Sequence, residues 1–188
     1  MIEFDDRKPW NDAQVCLIIG PGGSGKSSLA LELAPLLGRR LVDLDHEFRR
    51  RIDDITSFMR REGYERYKVR NSELATELAA EAVSPTLLVA SSGFLTDDNP
   101  QPTLTANHKL LEACYAICLL PSRSLELAVS TIVERQSRRP FRRSRSVEEA
   151  AIRARYGTYA ALGDLVVFSD AAPSEIASAI ADRLRPGQ

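Results

Sequence analysis

Eight residues constrain this chain more than any others. Gly20-Pro21-Gly22-Gly23-Ser24-Gly25-Lys26-Ser27 fits the pattern G-x-x-x-x-G-K-[ST], directly after an apolar run and at the start of a helix-period segment. A strand that ends in such a loop and continues into a helix is the opening unit of an open parallel α/β sheet. Glycines let successive backbone N–H groups turn inward, and the following helix adds the positive end of its dipole, so the loop suits a polyphosphate. The pattern assigns Lys26 to the β- and γ-phosphates and Ser27 to magnesium, with Gly20, Gly22, Gly23, Ser24, Gly25 and Ser28 completing an ATP site. The bland alternative is an ordinary glycine-rich βα turn, which does not call for all eight positions and both flanks.

Short apolar runs alternate with longer helix-period segments along the rest of the chain, which predicts a three-layer αβα fold on a parallel sheet. Strands are expected at 14–19, 40–43, 86–90, 113–119 and 165–168. Helices are expected at 26–37, 45–51, 55–61, 64–83, 122–136, 146–162 and 173–185. Residues 92–107, with Asp97, Asp98, Asn99 and two prolines, read as a long loop at the carboxyl end of the third strand, where ligands bind in such sheets. Residues 135–145 hold six arginines in eleven positions around Pro140 and read as a lid. A chain of 188 residues fits one domain with a sizeable core, taken as 13–188 after a loose extension at 1–12.

Composition narrows the partners. A formal net charge of −1 gives no general attraction to nucleic acid or membrane, and no apolar run nears the roughly 20 residues of a bilayer span. The acidic start MIEFDDRKPW lacks the features of a signal peptide, so a cytoplasmic protein is expected, as a monomer or weak homodimer. Cys16, Cys114 and Cys118 read as reduced structural thiols, because His46 and His108 are the only histidines available to complete a zinc site. No Asn/Thr-Lys-x-Asp stretch of a GTPase is present, and the length leaves no room for the extra domains of most motor ATPases. Transfer to a small acceptor is the common outcome that remains.

The second strand ends Leu41-Val42-Asp43-Leu44-Asp45, and alternate spacing along a strand would put both carboxylates on one face beside the phosphate loop. One can hold the magnesium shell and the other can take the proton of an attacking hydroxyl, while either can also cap the following helix. With these residues in view, the chain resembles the shikimate kinases, small P-loop kinases of the nucleoside-monophosphate-kinase-like group. The resemblance runs from about Val15 onward and rests on the phosphate loop, Asp43-x-Asp45, the segment at Gly63, Arg139-Pro140, and Arg155-x-x-x-Tyr159. It implies five parallel strands in the order 2-3-1-4-5, a substrate subdomain at 45–81 and a lid at 135–146. It also implies that Asp43 organises magnesium, that Asp45 contacts the acceptor and acts as base, that Arg139 closes over the nucleotide phosphates, and that Arg155 binds an acceptor carboxylate. Arginine suits the last task through its bidentate geometry, and Arg138 could serve in place of Arg139.

Departures from the family pattern gather on the acceptor side. Gly63-Tyr64-Glu65-Arg66-Tyr67-Lys68 carries lysine where the family has its clamping arginine, and Ser91-Ser92-Gly93 replaces a run of three glycines. Lys68, Ser91, Ser92 and Gly93 are therefore candidate acceptor-binding residues along with Asp45 and Arg155. Lys68 can still pair with a carboxylate as a point charge, and the two serines either meet an extra polar group or bond their own loop. Shikimate is the leading acceptor, and a different hydroxylated acid or sugar acid such as gluconate is the alternative. A regulatory or nucleic-acid-associated ATP-binding protein without transfer activity is the rival from another class.

Overall fold

The structure, a computed structural model, describes residues 1–137 and 144–185. Arg138, Arg139, Pro140 and Phe141, the centre of the expected lid, lie outside the described residues. In chain order the elements are β1 (Glu3–Asp6), β2 (Val15–Ile19), α1 (Lys26–Leu36), β3 (Arg40–Asp43), α2 (Leu44–Arg51), α3 (Ile55–Glu62) and α4 (Tyr64–Ala80). They continue with β4 (Thr86–Val89), α5 (Gln101–Ala113), β5 (Tyr115–Leu120), α6 (Leu125–Ser137), α7 (Arg145–Ala161), β6 (Leu165–Phe168) and α8 (Pro173–Leu184).

Every residue of β2, β4, β5 and β6 is buried, as parallel strands covered on both faces must be. Side chains alternate between two cores. Cys16, Ile18, Leu87, Val89, Ile117 and Val167 pack under α1 and α8, whereas Leu17, Ile19, Leu88, Cys118 and Val166 pack under α4, α5 and α7. The sheet order is β1-β6-β5-β2-β4-β3, so the five parallel strands follow the expected 2-3-1-4-5. That order puts β4 on one side of β2 and β5 on the other, and opens a crevice at their carboxyl ends. The three cysteines are free and buried, and burial pushes the Cys16 and Cys118 thiols up to about 12. No helix among the described residues is long and apolar enough to cross a membrane.

Two expectations are corrected. The stretch at 1–12 is not loose: β1 pairs antiparallel with β6, Glu3 opposite Phe168 and Asp6 opposite Leu165, as a sixth strand. Arg123 holds Glu3 at 2.7 Å, and Arg183 pairs with Asp6. Trp10 packs edge-on against Tyr115 with centroids 4.7 Å apart, and the almost fully buried Arg39 guanidinium lies 4.8 Å from its ring while donating to the Ala13 carbonyl. The loop expected over 92–107 ends at Pro100, because α5 begins at Gln101 with Pro102 in its first turn. Proline is tolerated there, where its missing N–H has no partner to lose. Thr103, Asn107, Leu110 and Leu111 then form the buried face of the helix.

Removing residues 1–6 strips β6 of its outer partner, leaving β5 on its other side, and takes Glu3, Asp5 and Asp6 from Arg123 and Arg183. A loss of about 2 kcal/mol is expected, lowering the melting temperature by roughly 4–8 °C for a chain of this size, measured by calorimetry.

Candidate active site

The phosphate loop owes its shape to glycines. Gly20, Gly23 and Gly25 have φ of 145°, 83° and 103°, backbone that side-chain-bearing residues rarely adopt. A Cβ on Gly20 would also stand 2.5 Å from the Leu119 carbonyl oxygen. Gly25 caps α1, whose first residue is Lys26. The buried Lys26 ammonium folds back over the loop and donates to the carbonyls of Gly20 at 2.8 Å and Pro21 at 3.1 Å. Ser27 and Ser28 follow on the exposed first turn, and the Ser27 hydroxyl donates to Asp43 Oδ2 at 2.8 Å.

Asp43 is the last residue of β3 and the N-cap of α2, its Oδ1 accepting from the His46 backbone N–H at 3.1 Å. Asp45 is not on the strand, as alternation had it, but in the first turn of α2. The helix, not the pleat, turns both carboxylates toward the loop. Asp45 Oδ1 is buried with no hydrogen-bond partner. Burial raises its pKa, the nearby Asp43 charge adds to that, and Lys26, Arg49 and a bond from Tyr67 oppose it.

Two hollows meet here. One, about 170 Å³, is bounded by Gly22, Gly25, Lys26, Ser27, Asp43 and Asp45. The other, about 310 Å³, is a cleft lined by Asp45, Lys68, Asn71, Ser91, Gly93 and Arg155 among others. Asp45, Gly22, Ser92 and Gln136 line both. A third hollow on the far side of the loop touches Gly23, Gly25, Ser28, Arg135 and Pro173.

Lys68 is buried in the cleft wall, paired with Glu65 at 2.6 Å, donating to the Asp98 carbonyl and 4.9 Å from the Tyr64 ring. Ser91 donates to Asn71 Oδ1 at 2.8 Å, Ser92 accepts from the Tyr159 hydroxyl at 2.9 Å through its carbonyl, and Gly93 leaves 3.2 Å between its absent Cβ and the Tyr64 hydroxyl. Arg155 reaches the cleft from α7, with Nη2 3.8 Å from Asp98 Oδ2. The structure thus gathers every expected site residue except Arg139, which lies outside the described residues.

Sequence reasoning put Asp98 and Asn107 in the 92–107 loop and Arg135 and Gln136 in the lid without giving any of them a role, and it did not single out Asn71. Asn71 Nδ2 and Asn107 Oδ1 are buried without partners on the cleft wall. Asn71 was findable, being three residues beyond Lys68 on one helix face. Asn107 was hidden by the loop assigned over α5, and Asp98 was read only as one polar residue of that loop.

The family model described as Shikimate kinase matches residues 22–185. Among curated relatives, the pentafunctional AROM polypeptide of Scheffersomyces stipitis is 30% identical over 98 residues, 52% of this chain and 6% of that protein. Shikimate kinase 2 of Shigella dysenteriae is 25% identical over 175 residues, covering 91% of this chain and 95% of the relative. The solved structure of shikimate kinase from Acinetobacter baumannii in complex with shikimate superposes with a TM-score of 0.70 at 22% identity, covering 89% of this chain and 90% of that one. A gluconokinase from Sinorhizobium meliloti follows at TM-score 0.58 and 18% identity, covering 94% and 93%.

A carboxyl group whose pKa is raised on folding carries no penalty at low pH, where it is protonated in both states. The penalty grows as pH rises from the unfolded value through the folded one and is complete above it. Asp45→Asn should therefore raise the melting temperature at pH 7, and the gain should vanish toward pH 3. Equal melting at both pH values would show that Asp45 carries no such penalty. With the loop, the paired aspartates, the matched span and the superposition together, the chain belongs to the shikimate kinase family.

Proposed function

We propose that this chain transfers the γ-phosphoryl group of ATP to a hydroxyl of a small hydroxylated acid, with shikimate, giving shikimate 3-phosphate, as the first candidate. One observation carries the reading: Asp45 presents a buried, unpartnered carboxylate oxygen where the phosphate-side hollow and the acceptor cleft share a wall. A general base belongs at that junction, and its raised pKa brings it nearer the working pH.

The residues present fit the nucleotide and its metal. Three left-handed glycines leave a cradle without Cβ atoms, and Ser27 and Asp43 offer the hard oxygen donors that magnesium takes. ATP with magnesium, when bound, supplies the phosphoryl group and neutralises part of its charge. Lys26, which donates to the loop carbonyls, would hold the β- and γ-phosphates, and Asp43 holds Ser27 in orientation. The hollow at Arg135 and Pro173 takes the base and sugar end. Asp45 would take the proton of the acceptor hydroxyl as that hydroxyl's oxygen bonds to the γ-phosphorus and the bond from the γ-phosphorus to ADP breaks. Lys68 and Arg155 hold the acid, Asn71, Ser91, Ser92 and Gly93 line its hydroxyls, and Arg139 completes the phosphate side from the lid.

A different hydroxylated acid, such as gluconate, is the second reading. Lys68 favours it, since a point charge holds a carboxylate with less geometric demand than the family's arginine.

The test is coupled ADP release with ATP, magnesium and shikimate. Turnover should fall about 10²–10³-fold in Lys26→Ala and about 10²–10⁴-fold in Asp45→Asn. ATP binding without turnover on shikimate would remove shikimate and turn the panel to gluconate and other sugar acids. ATP binding without turnover on any of them would sink the transferase reading in favour of a regulatory ATP-binding protein.

A further inference from the structure

The two cations set into the acceptor cleft are already engaged by the chain's own anions and carbonyls. Lys68, 5% exposed, pairs with Glu65 Oε1 at 2.6 Å and donates to the Asp98 carbonyl. Arg155, whose side chain is 22% exposed, faces Asp98 Oδ2 at 3.8 Å. One residue of the turn after β4 therefore touches both. Arg49, the third cation among the described residues of the wall, is exposed and donates to the Asp45 carbonyl.

The turn is built to hold Asp98 there. Asn99, buried beside it, donates to the carbonyls of Gly93 at 2.8 Å and Thr96 at 2.7 Å. The Thr96 hydroxyl lies 2.9 Å from the Gly93 carbonyl and bonds Asp98 Oδ1. These contacts leave Oδ2 facing the guanidinium. Asp97 and Asp98 are both exposed, the Asp98 side chain by 48%; what sets Asp98 apart is its bond from Thr96 and its place opposite Arg155.

We propose that Asp98, a half-exposed carboxylate beside the acceptor cleft, is a specificity-determining residue that offsets the Arg155 charge and must be displaced by the carboxylate of an acid acceptor. The inference rests on the cleft being the acceptor site of the kinase described above. An acid arriving in the cleft meets a cation whose charge is already offset, so Asp98 weakens selection for acids over neutral polyols with the same hydroxyls. A wild-type site of this kind holds shikimate loosely and discriminates little against its uncharged ester.

Asp98→Asn isolates the charge. The amide keeps an acceptor for Thr96, and the backbone carbonyl to Lys68 is untouched. Asp97→Asn removes the same charge one residue away as a control, and Asp98→Ala checks the result with a different side chain. With shikimate, Asp98→Asn and Asp98→Ala should lower KM about tenfold with kcat within twofold, while KM for shikimate methyl ester stays constant and Asp97→Asn matches wild type. An unchanged or higher KM for shikimate in Asp98→Asn, or an equal gain for the ester, overturns the proposal.

Calorimetric binding of cyclohexanecarboxylate, which has no hydroxyl to phosphorylate, separates this from the wider reading. About tenfold tighter binding to Asp98→Asn without turnover on any acceptor keeps the role of Asp98 and removes the kinase assignment. Turnover on shikimate with neither KM nor cyclohexanecarboxylate affinity altered keeps the kinase and removes the role of Asp98. No binding of cyclohexanecarboxylate by either protein, together with an unchanged KM, also removes it.

Discussion

The site depends on one close approach: the backbone of Gly20 passes the carbonyl of Leu119 so tightly that a single extra carbon would stand 2.5 Å from it. Because β2 and β5 are adjacent and parallel, the chain leaving β2 has to turn immediately beside the end of β5. Glycine permits that turn, Gly25 in the left-handed region starts α1, and Lys26 is carried back over the loop that precedes it. β3 and β4 lie on the other side of β2, so Asp43 arrives opposite Ser27. The nucleotide side is thus a product of strand order and of three residues without side chains.

The acceptor side is made differently. Its wall comes from α2, α4, the turn after β4, α5 and α7, elements far apart in sequence, and it keeps Asp45 Oδ1, Asn71 Nδ2 and Asn107 Oδ1 buried without partners. Buried polar atoms ordinarily find partners, and leaving one unmet costs about 1–3 kcal/mol. Among the described residues, three such atoms belong to side chains that line one cleft of about 310 Å³.

This contrast explains what could be read from the sequence. The phosphate loop is contiguous, and the buried strands announce themselves as apolar runs, so the parallel sheet and its nucleotide edge were legible. Asp43 and Asp45 were found, although the geometry that gathers them is a helix start and not strand alternation. β1 was missed because Glu3, Phe4, Asp5 and Asp6 show little apolar character, and their partners Arg123 and Arg183 lie more than a hundred residues away. The start of α5 was missed because its prolines read as breakers, where position in the first turn makes them compatible with helix. Asp98 sits in a stretch that looks like any polar turn, and only the return of α4 and α7 to the same cleft gives it neighbours.

β1 also sets a schedule for assembly. Glu3 pairs with Phe168, so a strand from one end of the sequence closes against the last strand of the sheet. Closing so long a loop is entropically costly and slow compared with forming the local βα units between. Until β6 exists, its future edge partner waits as an acidic, weakly apolar segment with little tendency to associate with other chains. The low apolar character that hid β1 from the sequence thus keeps the growing chain out of trouble during the interval in which the strand has nowhere to go.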